Sequence, residues 1–228
     1  MENKCISVII PAYNEEDLIY ETVTSVKTVP RVNQVIVVDD GSKDNTATEV
    51  KRADAELVKL NKNMGKGFAM NKGYLLAKEK IIAFLDADLG SSSTNLSTLA
   101  YPVMENKFDI SIAKLKKANN SQGFGIIRFI SGLCIYLLTG KKITAPLSGQ
   151  RVMTREVAEK IFPLVGDFGV ELDGTIKAFE NNFRLIEIEV EMEHRKTDLN
   201  FMGIKHRMFQ GYQIFKTILL RGLKVKKI

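Results

Sequence analysis

The run Ile81-Ile-Ala-Phe-Leu-Asp-Ala-Asp88 joins five consecutive apolar residues to two carboxylates held one residue apart. An unbroken apolar segment of this length is expected of a strand buried on both faces, as in a parallel sheet covered by helices. The same design recurs upstream. Cys5-Ile-Ser-Val-Ile-Ile10 reads as a strand stopped by Pro11, and Val35-Ile-Val-Val38 as another, closed by Asp39-Asp40-Gly41-Ser42. Between them, Glu15 to Thr28 has helical spacing, with Leu18, Ile19, Val23 and Val26 on one face. Ser42 or Asp44 can cap a helix reaching about Arg52. Glu56 to Leu60 is a weaker strand and Lys66 to Ala77 a further helix.

This alternation of strand and helix predicts an α/β fold: a Rossmann-like, mostly parallel sheet flanked by helices. Ligands of open sheets bind beyond the carboxyl ends of the strands. Pro11 to Glu15, Asp39 to Ser42 and Asp86 to Asp88 are therefore expected to line one crevice. The second half is less regular. Phe108 to Ala113 is a predicted strand, Phe124 to Leu138 an amphipathic or buried helix, Ala145 to Thr154 an extended segment and Val170 to Phe179 a helix. Leu185 to Met192 alternates apolar residues with Glu187, Glu189 and Glu191, the mark of a strand with one wet face. Lys205 to Leu223 is expected to form a basic amphipathic helix. The expected organisation is one domain over residues 1–200, split into halves 1–95 and 96–200, followed by the basic helix within 201–228.

Composition narrows the class. Of 228 residues, 45% are hydrophobic and 26% charged, so the chain is expected to fold around a sizeable core rather than stay disordered. Its two cysteines, Cys5 and Cys134, form neither a zinc-ligand spacing nor a disulfide framework, which favours a reducing, cytoplasmic location. No secretory signal pattern opens the chain and no apolar run is long enough to span a bilayer, so neither export nor a membrane span is expected. The net charge of +6 is uneven: Ile110 to Arg155 holds eight Lys/Arg and no acid, and Phe201 to Ile228 seven and none. One side of the molecule is thus expected to meet something anionic. No nucleic-acid-binding module accompanies that charge.

The strand ends carry the chemistry. Asp86 and Asp88 can share one hard cation, Mg²⁺ or Mn²⁺, which would neutralise a diphosphate leaving group. Among eleven aspartates a bare Asp-x-Asp arises readily by chance, so its place after an apolar strand gives it weight. Asp39 and Asp40 are suited to ribose hydroxyls or a base N–H, or else to capping the next helix. Pro11-Ala12-Tyr13-Asn14-Glu15 stands where a dinucleotide fold needs Gly-x-Gly-x-x-Gly, which argues against NAD and FAD; Tyr13 can wall a base pocket or pack as a core or cap aromatic. Asn63-Met-Gly-Lys-Gly67 fails the Walker pattern, yet Lys66 at a helix start can meet a phosphate or remain solvated.

Together Val8-Ile-Ile-Pro-Ala-Tyr-Asn-Glu-Glu16, Val37-Val-Asp-Asp-Gly-Ser42, Asn63-x-Gly-Lys-Gly67 and Phe84-Leu-Asp-Ala-Asp88 resemble the inverting family 2 glycosyltransferases of the GT-A fold. Within that family the motifs look most like polyprenyl-phosphate sugar transferases. The resemblance covers residues 5 to 90 in order and spacing. It implies that Pro11, Tyr13 and Asp40 contact the base, with Ala12 in the same nucleotide-binding stretch. It also implies that Glu15 and Asp39 contact the nucleoside, and that Asp86 and Asp88 hold the metal and diphosphate. A UDP- or GDP-sugar is the implied substrate.

Beyond about residue 95 the resemblance thins, since Leu89-Gly-Ser-Ser-Ser93 replaces the family's Pro-containing continuation. Leu147-Ser-Gly-Gln-Arg151 is similar to the Ser-Gly-x-Arg segment of those enzymes, where Arg151 would fork onto a phosphate or else pair with Glu156 or Glu171. Glu171 and Asp173 resemble the acidic pair near the acceptor and are candidates for a general base, unless they merely open a helix; an ionised phosphate acceptor needs none. His194 resembles, in chain order, a late histidine that serves as a third metal ligand; as a lone histidine it can equally be an ordinary polar residue.

The expected activity is transfer of a hexose, UDP-glucose being the plausible source, to a phosphorylated acceptor such as polyprenyl phosphate. A small acceptor such as 3-phosphoglycerate is the alternative. A nucleotidyltransferase would need a Gly-rich, basic loop after the first strand, which is missing. A non-catalytic nucleotide- or membrane-binding module is the remaining class. The basic apolar segments suit peripheral contact at the inner face of the membrane or plain core packing. A homodimer is compatible with the sequence, which leaves the oligomeric state open.

Overall fold

The computed structural model of the protein describes residues 4–115, 124–165 and 169–193. His194, His206 and the basic segment 201–228 lie outside these residues.

Seven strands form one sheet: β1 (Ile6–Ala12), β2 (Val32–Asp39), β3 (Glu56–Lys59), β4 (Ile81–Phe84), β5 (Ile110–Leu115), β6 (Arg151–Thr154) and β7 (Leu185–Val190). Their spatial order is β3-β2-β1-β4-β6-β5-β7. Among the described strands only β6 is reversed, pairing antiparallel with both β4 and β5; their other pairings are parallel. The α/β class and the mostly parallel sheet therefore match expectation. The inserted reversed strand does not. Of the extended segment expected over Ala145–Thr154, only the last four residues are strand.

Why continuous apolar strands form here is visible in which core each side chain enters. Ile6, Val8, Ile10, Val35, Val37, Ile81, Ala83 and Leu85 pack into one core, with Ile9, Ile36, Val38, Ile82 and Phe84 in the other. Successive residues alternate faces, so both faces must be covered. The helices α1 (Ile19–Lys27), α2 (Thr46–Arg52) and α4 (Leu96–Met104) cover the first. The second is covered by α3 (Lys66–Leu76), α5 (Phe124–Thr139), α6 (Arg155–Ile161) and α7 (Val170–Glu180). Each fully buried Ile or Val contributes roughly 1.5–3 kcal/mol, so the β1–β2–β4 centre anchors the fold. Two of these helices, α4 and α6, have no counterpart in the sequence reading. α4 carries Pro102 inside it, and α6 starts at Thr154, whose hydroxyl accepts from Val157 N at 3.3 Å.

The chain runs from β1 outward to β3 with its helices on one face, then returns through α3 on the opposite face to β4. That change of side falls between β1 and β4, where open sheets form their ligand crevice.

Candidate active site

Three loops beyond the strand ends are tied together by hydrogen bonds. Asn14 and the Asp39–Asp44 loop exchange two: Asn14 N donates to Ser42 Oγ at 2.9 Å, and Lys43 N to Asn14 Oδ1 at 2.9 Å. Gly41 holds a left-handed φ of +75°, and a Cβ there would strike the Lys62 backbone, so this turn needs glycine. The start of α2 draws its partner from Asp44, whose Oδ1 accepts from Thr46 N at 3.0 Å. Ser42 takes no part in that cap.

Asp40 is 4% exposed and accepts from Met64 N at 2.7 Å and Gly65 N at 2.8 Å. Its carboxylate therefore carries the third loop and sets the start of α3, a role the sequence reading did not foresee. Asp39 differs. Its Oδ1 accepts from Ser42 N at 2.9 Å, while Oδ2, fully buried, has no partner. A buried acceptor left unmade costs about 1–3 kcal/mol, so this oxygen is poised for an N–H or O–H from outside the chain. Tyr13 stands on the neighbouring loop, 41% exposed, after the buried Ala12. Pro11 and Glu15 flank them, and Glu15 N donates to Thr46 Oγ1 at 2.8 Å.

Asp86 is the hub of the second cluster. Lys66 Nζ lies 2.8 Å from its Oδ1, and Gln150 Nε2 donates to its Oδ2 at 2.6 Å. The same ammonium reaches Glu171 Oε1 at 2.9 Å. Burial works against the Lys66 charge, but Asp86 and Glu171 outweigh it and hold the group well above its ordinary range. Lys66 thus lies within the cluster, at the mouth where Asp86 remains partly open. The antiparallel register pairs Phe84 with Arg151, and continuing it brings Asp86 level with Gly149. A Cβ on Gly149 would stand 2.7 and 2.8 Å from the Asp86 oxygens and 2.8 Å from Lys66 Nζ. Only glycine leaves that space.

Gln150 and Gly149 were missed from sequence. The Ser-Gly-x-Arg pattern contains both, but their place beside Asp86 depends on a strand pairing between residues far apart in the chain.

Thr22 was missed as well. From α1 its hydroxyl donates to Ala87 O and accepts from Gly90 N, both at 2.8 Å, and so clamps both sides of Asp88.

Two expected site residues turn inward. Arg151 is 4% exposed; it donates to Ser148 O at 2.8 Å, Thr175 Oγ1 at 2.8 Å and Pro146 O at 3.1 Å. Burial pulls its guanidinium down to about 10, against the opposing pull of Glu171 and Glu187. The guanidinium expected to fork onto a phosphate is engaged with the protein itself: these bonds brace the 146–148 turn against α7. Asp173 is 2% exposed, accepts from Val165 N at 3.0 Å and pairs with Lys177 at 2.9 Å. Two residues apart on a helix, Glu171 and Asp173 point roughly 200° apart. The acidic pair therefore divides, Glu171 joining Asp86 and Asp173 securing the segment before α7.

As a cation site, Asp86 and Asp88 offer hard oxygen donors, and Asp86 already holds an ammonium, so the chemistry fits Mg²⁺ or Mn²⁺. Among the described residues no group of three His, Cys, Asp or Glu could hold a metal by itself. Such an ion would take its remaining ligands from water and substrate phosphates, as Mg²⁺ usually does.

The mostly parallel sheet and its flanking helices match the GT-A-like fold of glycosyltransferase structures. The chain belongs to glycosyl transferase family 2, whose model matches residues 7–162, and it is a glycosyltransferase. An uncharacterized protein of Methanocaldococcus jannaschii is 30% identical over 82% of this chain and 80% of its own length. Dolichyl-phosphate beta-glucosyltransferase of Dictyostelium discoideum is 29% identical; the match covers 72% of this chain and 58% of that enzyme. An undecaprenyl-phosphate 4-deoxy-4-formamido-L-arabinose transferase of Edwardsiella ictaluri is 27% identical over 96% of this chain and 70% of its own. The fold matches glucosyl-3-phosphoglycerate synthase of Mycobacterium tuberculosis, solved with Mn²⁺, UDP and glucosyl-3-phosphoglycerate. The TM-score is 0.77 at 23% identity, covering 96% of this chain and 80% of that one.

Proposed function

We propose that the protein moves a hexose from a nucleoside-diphosphate sugar, UDP-glucose first among candidates, to polyprenyl phosphate. The carrying observation is the convergence at one switch point of Asp39 Oδ2, a buried acceptor without a partner, with the carboxylates of Asp86 and Asp88. Asp39 accepts from the nucleoside, and Tyr13 with Pro11 and Ala12 walls the base. Glu15 and Asp40 hold those loops in place. Asp86 and Asp88 hold Mg²⁺ or Mn²⁺, with His194 as a candidate third ligand; the ion supplies charge neutralisation to the diphosphate. Lys66 leaves Asp86 for a diphosphate oxygen. The acceptor phosphate oxygen attacks the anomeric carbon as the bond to the diphosphate breaks, with inversion. An ionised phosphate needs no base, so Glu171 orients Lys66 rather than abstracting a proton.

The names of the Dictyostelium and Edwardsiella relatives support a lipid phosphate acceptor. Likeness in fold to a phosphoglycerate enzyme supports testing the small acceptor beside it. Incubation with Mn²⁺, UDP- and GDP-sugars, and either polyprenyl phosphate or 3-phosphoglycerate decides, by nucleotide release and product mass. Glycolipid formed by wild type and lost in D88N is the expected outcome. No turnover of any nucleotide sugar defeats the proposal.

A further inference from the structure

Helix α5 is apolar on the side that the described residues leave exposed. Ser131, Cys134 and Ile135 are buried toward the core, yet Phe129 is 70% exposed, Leu137 73%, and Ile130, Leu133 and Tyr136 between 44% and 46%. At 100° per residue those five side chains fall within an arc of roughly 120°, opposite the buried ones. A surface helix ordinarily turns polar residues to water. A contiguous patch of this kind marks a surface that meets an apolar phase.

The ends of the stripe are basic. Arg128 is exposed near its start, Lys141 and Lys142 are exposed just past its end, and no acid occurs from Ile110 to Arg155. Lys142 Nζ lies 5.9 Å from the Tyr136 ring centroid, which puts an aromatic and a cation together at the stripe's edge. An apolar strip with basic residues at both ends complements an anionic bilayer, with side chains in the acyl boundary and ammonium groups at the lipid phosphates.

The helix is also tied to the site. Ile135 shares a core with Val170, Leu172 and Ile176 of α7, the helix that carries Glu171. The chain leaving α5 is held to β7 by Glu187, which accepts from Thr144 N at 2.9 Å, and then reaches Gly149 and Gln150 beside Asp86. We propose that the exposed face of α5 is a docking surface for an anionic lipid bilayer, seating the molecule with the Asp86 cluster beside the headgroups. This deepens the proposed function, resting on its lipid-phosphate acceptor.

The chain contains no tryptophan, so Phe129→Trp is a lone reporter in the full-length protein. Phosphatidylcholine vesicles with one-third phosphatidylglycerol should blue-shift its emission and float the protein. Pure phosphatidylcholine should bind at least about tenfold more weakly, as should the anionic vesicles with K141E/K142E or F129S/L137S. Leu75→Trp, on α3, should not respond. Three outcomes overturn the inference: no vesicle-dependent shift; a shift without lipid that grows with protein concentration, which assigns the face to a second copy; or blue emission at every concentration without lipid, which assigns it to residues of the same chain. No nucleotide or acceptor enters this experiment. If flotation fails while detergent-dispersed polyprenyl phosphate is still glycosylated, only the docking surface falls.

Discussion

Lys66 Nζ stands 2.8 Å from Asp86 Oδ1, so the carboxylate proposed to hold a divalent cation already holds an ammonium. Binding of the ion and release of Lys66 are therefore expected to be competitive.

Lys66→Met keeps the aliphatic stem and removes the charge. Asp86 and Glu171 are then left facing one another, and stability should fall by about 1–3 kcal/mol. Mn²⁺ should raise the melting temperature of the variant more than that of wild type, while turnover falls at least about tenfold. Equal Mn²⁺ shifts in the two proteins would reject the competition.

Gly149→Ala tests how closely the reversed strand approaches the site. The added methyl meets the ends of two side chains, Asp86 and Lys66, rather than backbone, so both must move. The melting temperature should change by only a few degrees. The turnover number should drop by an order of magnitude or more, since misplacement of the charged groups acts on the reacting geometry. Wild-type turnover would show that Asp86 does not need its present position.

Thr22→Val preserves shape but strips the hydroxyl between Ala87 O and Gly90 N. Two buried backbone groups lose their partner, at about 1–3 kcal/mol in stability. Because that clamp fixes the turn bearing Asp88, the Mn²⁺ concentration for half-maximal rate should rise, and Thr22→Ser should restore it. A lower melting temperature with unchanged Mn²⁺ demand would assign Thr22 to stability alone.

Asp109 ties the start of β5 to β7. Arg184 donates to it from its side chain at 2.8 and 3.1 Å, which holds the carboxyl below its ordinary value against the opposing effect of burial. A folded-state value below the unfolded one, about 3.9, means the ionised group adds stability above that pH and loses it as pH falls through the folded value. The melting temperature of D109N should therefore lie below wild type near neutrality, and the gap should close below about pH 4. The Arg184 side chain is 56% exposed, so solvent screening limits the gap to about 1 kcal/mol or less. A gap constant down to about pH 3 would exclude the ion pair as its source.

Strand identity was legible because it is local. Ile81 to Leu85 and Val35 to Val38 alternate between two cores, and a run apolar at every position can satisfy that only inside a covered sheet. From the order of strands and helices followed the carboxyl-end crevice, with Asp39, Asp86 and Asp88 at its edge. Which way Arg151 and Asp173 turn was not legible, since direction depends on burial against α7 and the segment before it.

Periodicity and residue type over short stretches were enough to give the class of sheet and the acidic strand ends. That β6 enters in reverse between β4 and β5, bringing Gly149 and Gln150 to Asp86 and turning Arg151 inward, emerges from the folded arrangement. The reason is physical: a strand's register with a distant neighbour is fixed by shared hydrogen bonds and packing, and no local pattern encodes it.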